Sequence, residues 1–560
     1  MRRGLCVLTL CALTTATPAL GASGPTVDAP RLTSAAATAH FLAVLKVRHW
    51  LDRYPADPRT DADFDKVSRQ WTVHVWSGRA GEIATGTVED LTGHVLEAWT
   101  GPQVAWTMAR GYHAAFAGKA FSNWWVWGTC SALFFLGLVD PRRLLSVRTL
   151  DIAVLLSFTV SLVFFDRGEI FWSVPLAYPP LAYLLGRALW IGLRRCPHPA
   201  RATIVWPTAL LAAAAVFLLG FRAGVNVEGH RGVIDVGYAG VIGGSRILHG
   251  EAPYGHMPVS DDRPVCGPAS SASRQHVQTD GRCESPNPFG DTYGPVSYLA
   301  YVPAVAALGW SGQWDSLPAA HAVAIAFDVL AALGLGLAGL RYGGTRLAVA
   351  LVFAWEAFPF TAYAMNSNTN DAIMPALLVW AFLFLTSSTV RGAGVALAGW
   401  TKFAALAVAP IWLAYPRLDR RTTLRAVVAA LVATVAAFSI LLLEPSLGDA
   451  LRTFWHRTIR FQATRGSPFS LWGWGQYHAK GVPDLHGLQV VLEVAVGILA
   501  VVLALVPRRE RTPLELAALT AALLVAVQLV LTHWFYLYLP WMLPFVLLAF
   551  FLPRGDVEHA

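Results

Sequence analysis

The sequence predicts a polytopic α-helical membrane protein that carries a small α+β extracytoplasmic domain near its amino terminus. Three observations predict it. Only 14% of the 560 residues are charged, where a soluble domain runs near a quarter. Mean hydropathy is +0.48. The apolar residues fall in blocks of about twenty, the length that crosses a hydrocarbon core of roughly 30 Å. These features exclude a set of ordinary soluble domains, a disordered chain and a coiled coil. The net charge of +8 is not a nucleic-acid signal here, because cytoplasmic loops collect Lys and Arg to orient their spans.

In chain order, Arg2 and Arg3 precede an apolar stretch from Leu5 to Leu20, so residues 1–22 read as a secretory signal peptide. Residues 33–110 are polar and hold no spanning run. Ala36 to Trp50 has helical spacing, and Gln70–Trp76, Glu82–Val88 and His94–Thr100 read as strands. Trp71, Val73 and Val75 alternate with Thr72 and His74, as one face of a half-buried sheet does. Asp90-Leu91-Thr92-Gly93 supplies a turn. With its run from Val88 to Trp99, the segment resembles the PepSY type of extracytoplasmic module, which implies a regulatory or contact role.

Three spans are expected over 122–192, at 122–139, 149–165 and 171–192, and a fourth at 203–222. Arg142, Arg143 and Arg148, then Arg194, Arg195 and Arg201, place alternate loops in the cytoplasm and leave 223–293 outside. Further spans are expected at 317–340, 345–363, 371–388, 424–443, 487–507, 512–532 and 536–552. The total is ~11–13 transmembrane helices, depending on 294–311 and 392–414. If 294–311 crosses, Arg341 and Arg346 lie outside. If it lies along the outer surface, they lie inside, and 392–414 must dip in and return. The second arrangement is expected, because it moves Lys402 from mid-membrane, where a charge is costly, to the outer edge. Cys266 and Cys283 share the outer loop, where a disulfide is expected. With Asp261 and Asp262 they make no zinc spacing, so no metal is expected.

Asp235 lies just beyond a span at the start of an amphipathic run. It reads either as a general base for an acceptor hydroxyl or as the cap of a helix. The run from Asp235 through Tyr238, Gly250, Pro253 and Tyr254 resembles the GT-C superfamily of integral-membrane glycosyltransferases. Its nearest likeness is to glycosyltransferase family 87, the polyprenol-phosphate-mannose-dependent mannosyltransferases. The resemblance covers 203–552 and implies that Asp235 is the catalytic base, with Tyr238 and Tyr254 beside the substrate.

Asp291, in Gly290-Asp-Thr-Tyr-Gly-Pro295, reads as a turn former or a sugar ligand. The stretch 394–415 is similar to the family's helical hairpin, in which a Lys contacts the carrier phosphate; here that is Lys402. In the outer loop 444–486, Arg452, His456 and Arg460 are spaced four apart on one helix face. With Arg457 and Arg465 they read as holding a phosphate leaving group or lipid headgroups.

Phe469, Trp472, Trp474 and Tyr477 read as sugar-stacking residues or interfacial anchors. His533 reads as an acceptor-orienting residue or an interface residue, and Asn366, Asn368, Asn370 and Asp371 as a helix cap or as hydrogen-bonding partners of a sugar. The activity implied is transfer of mannose or another hexose or pentose from polyprenyl phosphate to a glycan or glycolipid acceptor outside the plasma membrane. The donor is lipid-linked and no cofactor is expected. Membrane lipids are the other expected partners. The alternative is a lipid or polysaccharide transporter or flippase.

Overall fold

The computed structural model describes residues 29–553, apart from 67, 110–117, 195–203, 230–231, 258–275, 278–282, 285–289, 313–315 and 507–508. The expected signal peptide therefore lies outside the described residues, as does Cys266 with the proposed disulfide.

The amino-terminal domain has two short helices, α1 (Ser34–Leu42) and α2 (Leu45–Leu51), and four antiparallel strands in the order β1-β2-β3-β4. The strands are β1 (Arg59–Asp65), β2 (Gln70–Trp76), β3 (Glu82–Glu89) and β4 (Val95–Thr100). Thr33 caps α1 by accepting the Ala36 N–H. Trp71, Val73 and Val75 point inward from β2 onto Ala37 and Phe41 of α1, giving the domain its own core. The single helix expected from Ala36 to Trp50 is broken at Ala43 and Val44. Strand β1 was not expected. Its sequence, RTDADFD, has only a short apolar alternation, Ala62 and Phe64 between aspartates, as suits an edge strand that adds just these two side chains to the core.

Asp90 is fully buried and ties the domain shut. It accepts the backbone N–H groups of Arg31 and Leu32, the Trp71 indole N–H and the Arg69 guanidinium. Burial pushes its carboxyl up, but these donors more than offset that and hold it down at about 2. A helix α3 (Pro102–Ala109) then leads toward the bundle.

The rest is a helical bundle. Among the described residues, six helices are long and apolar enough to cross a membrane: Val147–Asp166, Thr208–Glu228, Pro318–Gly343, Arg420–Leu443, His486–Leu505 and Pro513–Val530. A seventh is added if the pair Thr345–Ala357 and Pro359–Asn366, bent by 58°, counts as one span. This is fewer than the sequence suggests. The stretches 122–139, 371–388 and 536–552 form only the shorter helices Trp124–Leu138, Ile373–Leu383 and Tyr536–Phe551. Pro513–Val530 is mostly buried at the centre, whereas Thr208–Glu228, Arg420–Leu443 and His486–Leu505 are largely exposed. Phe217, Val435 and Val491 project outward from these. An apolar outer surface of this kind is compatible with a multi-pass membrane protein.

The stretches 294–311 and 392–414 are both broken into shorter helices. Residues 295–308 form two short helices, Pro295–Leu299 and Val302–Leu308, that do not reach across the bundle. Residues 388–413 fold back on themselves: Ser388–Gly399 runs out, the chain turns at 400–402, and Phe403–Leu413 returns. Arg391, in the first turn, donates to the carbonyls of Trp412 and Tyr415 at 3.3 and 2.7 Å. One side chain thus joins the two ends of the hairpin, and Lys402 sits at its tip.

A buried charge cluster lies between Thr208–Glu228, Pro318–Gly343 and Thr345–Ala357. Arg222 pairs with Asp328 at 2.6 Å and Glu356 at 2.9 Å, all three essentially inaccessible. Its Nη1 also donates to the carbonyls of Trp355 and Glu356 at 3.2 Å. Pro359 has no N–H to offer the Trp355 carbonyl, so Arg222 and the Thr361 hydroxyl replace it. The cluster holds the 58° bend.

Candidate functional site

The end of the bundle that meets the amino-terminal domain gathers most of the residues singled out in the sequence. Asp235 is the first residue of the helix Asp235–Leu248 and is not its cap; Ile234 occupies that position. The approach to it is clamped. Ile234 N–H donates to the Ser367 carbonyl, and the Asn368 amide donates to the Gly232 carbonyl at 2.9 Å. Asn226 donates to the Asn368 side chain at 2.8 Å, and His321 meets the Asn226 carbonyl oxygen at 2.8 Å. Gly237 has to be glycine, because a Cβ there would lie 2.2 Å from the Asn368 carbonyl. The turn 366–371 therefore does not cap a helix; it fixes where Asp235 begins.

The Asp235 side chain is exposed to solvent, yet surrounding protein removes much of its hydration. That loss pushes its carboxyl above the usual range, opposed by the Val236 N–H and by the charges of Arg465 and Lys402. Lys402 lies beneath it, 7% exposed, and pairs with Asp371 at 3.1 Å. Asp371 also accepts the Trp541 indole N–H at 2.9 Å. The rings of Tyr293, Trp541 and Tyr538 surround the ammonium at 4.4, 5.6 and 5.9 Å, a cation–π cage.

The motif around Asp291 positions this cage. Gly294 packs so closely on the hairpin tip that a Cβ would lie 2.0 Å from the Trp400 carbonyl. Val296 N–H donates to that same carbonyl, and the Ser297 hydroxyl to the Thr401 carbonyl. Asp291 itself is fully buried. Its Oδ2 accepts the Gly255 N–H at 2.7 Å and pairs with Arg457 at 3.1 Å. Burial pushes its carboxyl up, and the Gly255 N–H and Arg457 pull it back.

Several expected site residues turn inward for packing. Tyr238 is fully buried, edge-on to Trp310, and does not face a substrate. Tyr254 is buried between Tyr298 and Phe454 and donates its hydroxyl to the Tyr293 carbonyl at 3.0 Å. The four aromatic residues Phe469, Trp472, Trp474 and Tyr477 are buried within the protein too. Trp472 and Trp474 donate to the Leu529 and Pro468 carbonyls, while Tyr477 receives Trp50 of the amino-terminal domain.

The single face expected for Arg452, His456 and Arg460 is interrupted by a π-helical turn, His456–Arg460, a distortion frequent at functional sites. That turn swings Arg457 in to Asp291 and leaves His456 and Arg460 exposed beside each other at 3.4 Å.

His533 is brought to the site. Its Nδ1 meets the Ser467 hydroxyl at 2.8 Å. Burial keeps its imidazole well below the usual pKa, and the charges of Arg465 and Lys402 depress it further, so it is neutral near pH 7. Two features were not read from the sequence: Asp371 as the Lys402 partner and the Trp541 wall. Arg465 has no ion-pair partner among the described residues. Asp371 could have been found from its place at the end of an asparagine-rich turn level with Lys402; Trp541 carries no such signal. Among the described residues no group of three His, Cys, Asp or Glu could hold a metal. No family model, curated protein or solved structure matches the chain.

Proposed function

We propose that the protein is a membrane glycosyltransferase that moves a hexose or pentose from polyprenyl phosphate to an acceptor at the extracytoplasmic face. The observation that carries this reading is the exposed Asp235 carboxylate, held at a helix start beside a buried Lys402–Asp371 pair and Arg465, which has no ion-pair partner among the described residues. A carboxylate with a raised pKa is a competent base near neutral pH, and fixed cations beside it stabilise charge that develops on a leaving phosphate.

In the reaction, the acceptor hydroxyl gives its proton to Asp235 as its oxygen bonds to the sugar C1. The C1–O bond to phosphate breaks from the opposite side, and polyprenyl phosphate leaves with the electron pair. Arg465 takes the phosphate role first, because Lys402 and Arg457 already hold carboxylates. Lys402 sets the local field, and Arg460, exposed at the rim, meets the incoming lipid. Neutral His533 accepts or donates a hydrogen bond to the acceptor.

The test is purified protein with labelled polyprenyl-phosphate sugars. Transfer that D235N abolishes is expected, and D235N transferring as well as the parent would sink the assignment. The transporter reading draws on the buried Arg222–Asp328–Glu356 cluster, since intramembrane charges mark ion pathways. Movement of lipid across sealed vesicles without product would favour it.

A further inference from the structure

Beside the proposed active site, on the far side of a wall formed by Tyr254, Asp291 and Tyr293, lies a separate cavity of about 320 Å³. It opens between the turn 252–256 and the segment 441–453. Its chemistry is mixed in a particular way. Leu441 and Tyr254 give an apolar floor, and Ser446 and Thr453 bring hydroxyls to the side. Glu444 is half-buried and fixed in place. It accepts the Ala252 N–H at 2.9 Å and meets His256 Nε2 at 3.1 Å. Both contacts fall on Oε1, which leaves Oε2 for a ligand.

A held carboxylate oxygen above an apolar floor is what a pyranose ring uses: its hydroxyls donate to the carboxylate and its C–H face covers the floor. The volume holds one ring. The wall is shared with the proposed active site. Gly255 N–H binds Asp291, and the Tyr254 hydroxyl binds the carbonyl of Tyr293, whose ring faces Lys402.

We propose that this cavity is a second carbohydrate subsite, which holds a hexose ring of the acceptor next to the ring that is attacked. The acceptor is then an oligosaccharide or a glycan chain. The inference rests on the transferase reading for its role, but the binding it describes does not need turnover.

The experiment is saturation-transfer NMR on the full chain in nanodiscs, with methyl hexosides and the di- and trisaccharides of mannose, glucose and galactose. Two variants accompany the parent. Glu444→Gln keeps an acceptor for the Ala252 N–H and removes the charge, and Thr453→Trp fills the cavity. Unfolding midpoints show that each is folded. Saturable di- or trisaccharide binding is expected in the parent, about tenfold weaker in E444Q and lost in T453W.

Absence of binding by every saccharide overturns the proposal. Equal binding in all three proteins overturns it as well, by placing the site elsewhere. So does Ca²⁺ bound through Glu444 that saccharides fail to displace, which makes the cavity a cation site. If labelled polyprenyl-phosphate sugars give no product while both variants still lose saccharide binding, the transferase reading fails and the subsite stands.

Discussion

The Arg222 cluster and the Lys402 cluster are both ionic groups sunk in an apolar bundle, yet their surroundings differ. Arg222, Asp328 and Glu356 are sealed, and the guanidinium is committed to two carboxylates and two carbonyls at a helix break. Lys402 has one carboxylate and a ring of aromatic faces, and next to it Asp235 is open to solvent. Burial of charge alone therefore does not separate scaffold from site. Access to a neighbouring charge does.

Four substitutions would break or sharpen that contrast. Arg222→Met leaves two buried carboxylates without their cation and is expected to cost about 3–5 kcal/mol of stability, read as a lower unfolding midpoint in detergent. Lys402→Met is expected to lower sugar transfer on the order of 10²-fold, with a smaller change in midpoint than R222M. The contrast collapses if the two variants exchange these outcomes.

Gly294→Ala forces the hairpin tip to shift and is expected to cost roughly tenfold in transfer, since small misplacements near a reacting centre are costly. A smaller effect concerns pH. Because loss of hydration raises the Asp235 pKa, its base form is lost, and transfer falls, at a pH above the usual aspartate range. Arg465 lowers that pKa, so Arg465→Ala moves the acid limb of the rate profile to higher pH. A limb that stays in place would detach Arg465 from Asp235.

The amino-terminal domain offers a control far from both clusters. Its Asp90 carboxyl is depressed to about 2, so the stability it contributes is present above the unfolded value of 3.8 and is lost as pH falls toward 2. Asp90→Asn is expected to cost about 1–3 kcal/mol and to flatten that acid dependence in denaturant titrations.

Strand β2, the helical hairpin 388–413 and the tip position of Lys402 were legible because each leaves a one-dimensional mark: an alternation, a broken apolar run, a lone charge in an apolar stretch. The Arg222 cluster was not. Its partners are separated by 106 and 134 residues, and nothing local announces that three lone charges on three spans will meet. Strand β1 was missed because its alternation is short, only Ala62 and Phe64 between aspartates. Buried aromatic residues such as Trp472 and Trp474 were ambiguous for a different reason. A tryptophan run reads the same whether its indoles meet sugar, lipid or carbonyl oxygens; only the fold supplies Leu529 and Pro468 as acceptors.

The docking of the amino-terminal domain also has a consequence in time. Trp50 packs on Phe171 and Tyr477, and Arg53 exchanges hydrogen bonds with Lys480, 427 residues later in the chain. At roughly 5–20 residues per second, the domain completes its last strand about 20–75 s before the Tyr477 side of its seat is synthesised. For that interval Phe171 is the part of the seat already made, and Tyr477 is not. The segment 444–486, once made, completes both the seat of Trp50 and, through Arg465 and Ser467, the surroundings of Asp235. Assembly of the two regions finishes in one late event.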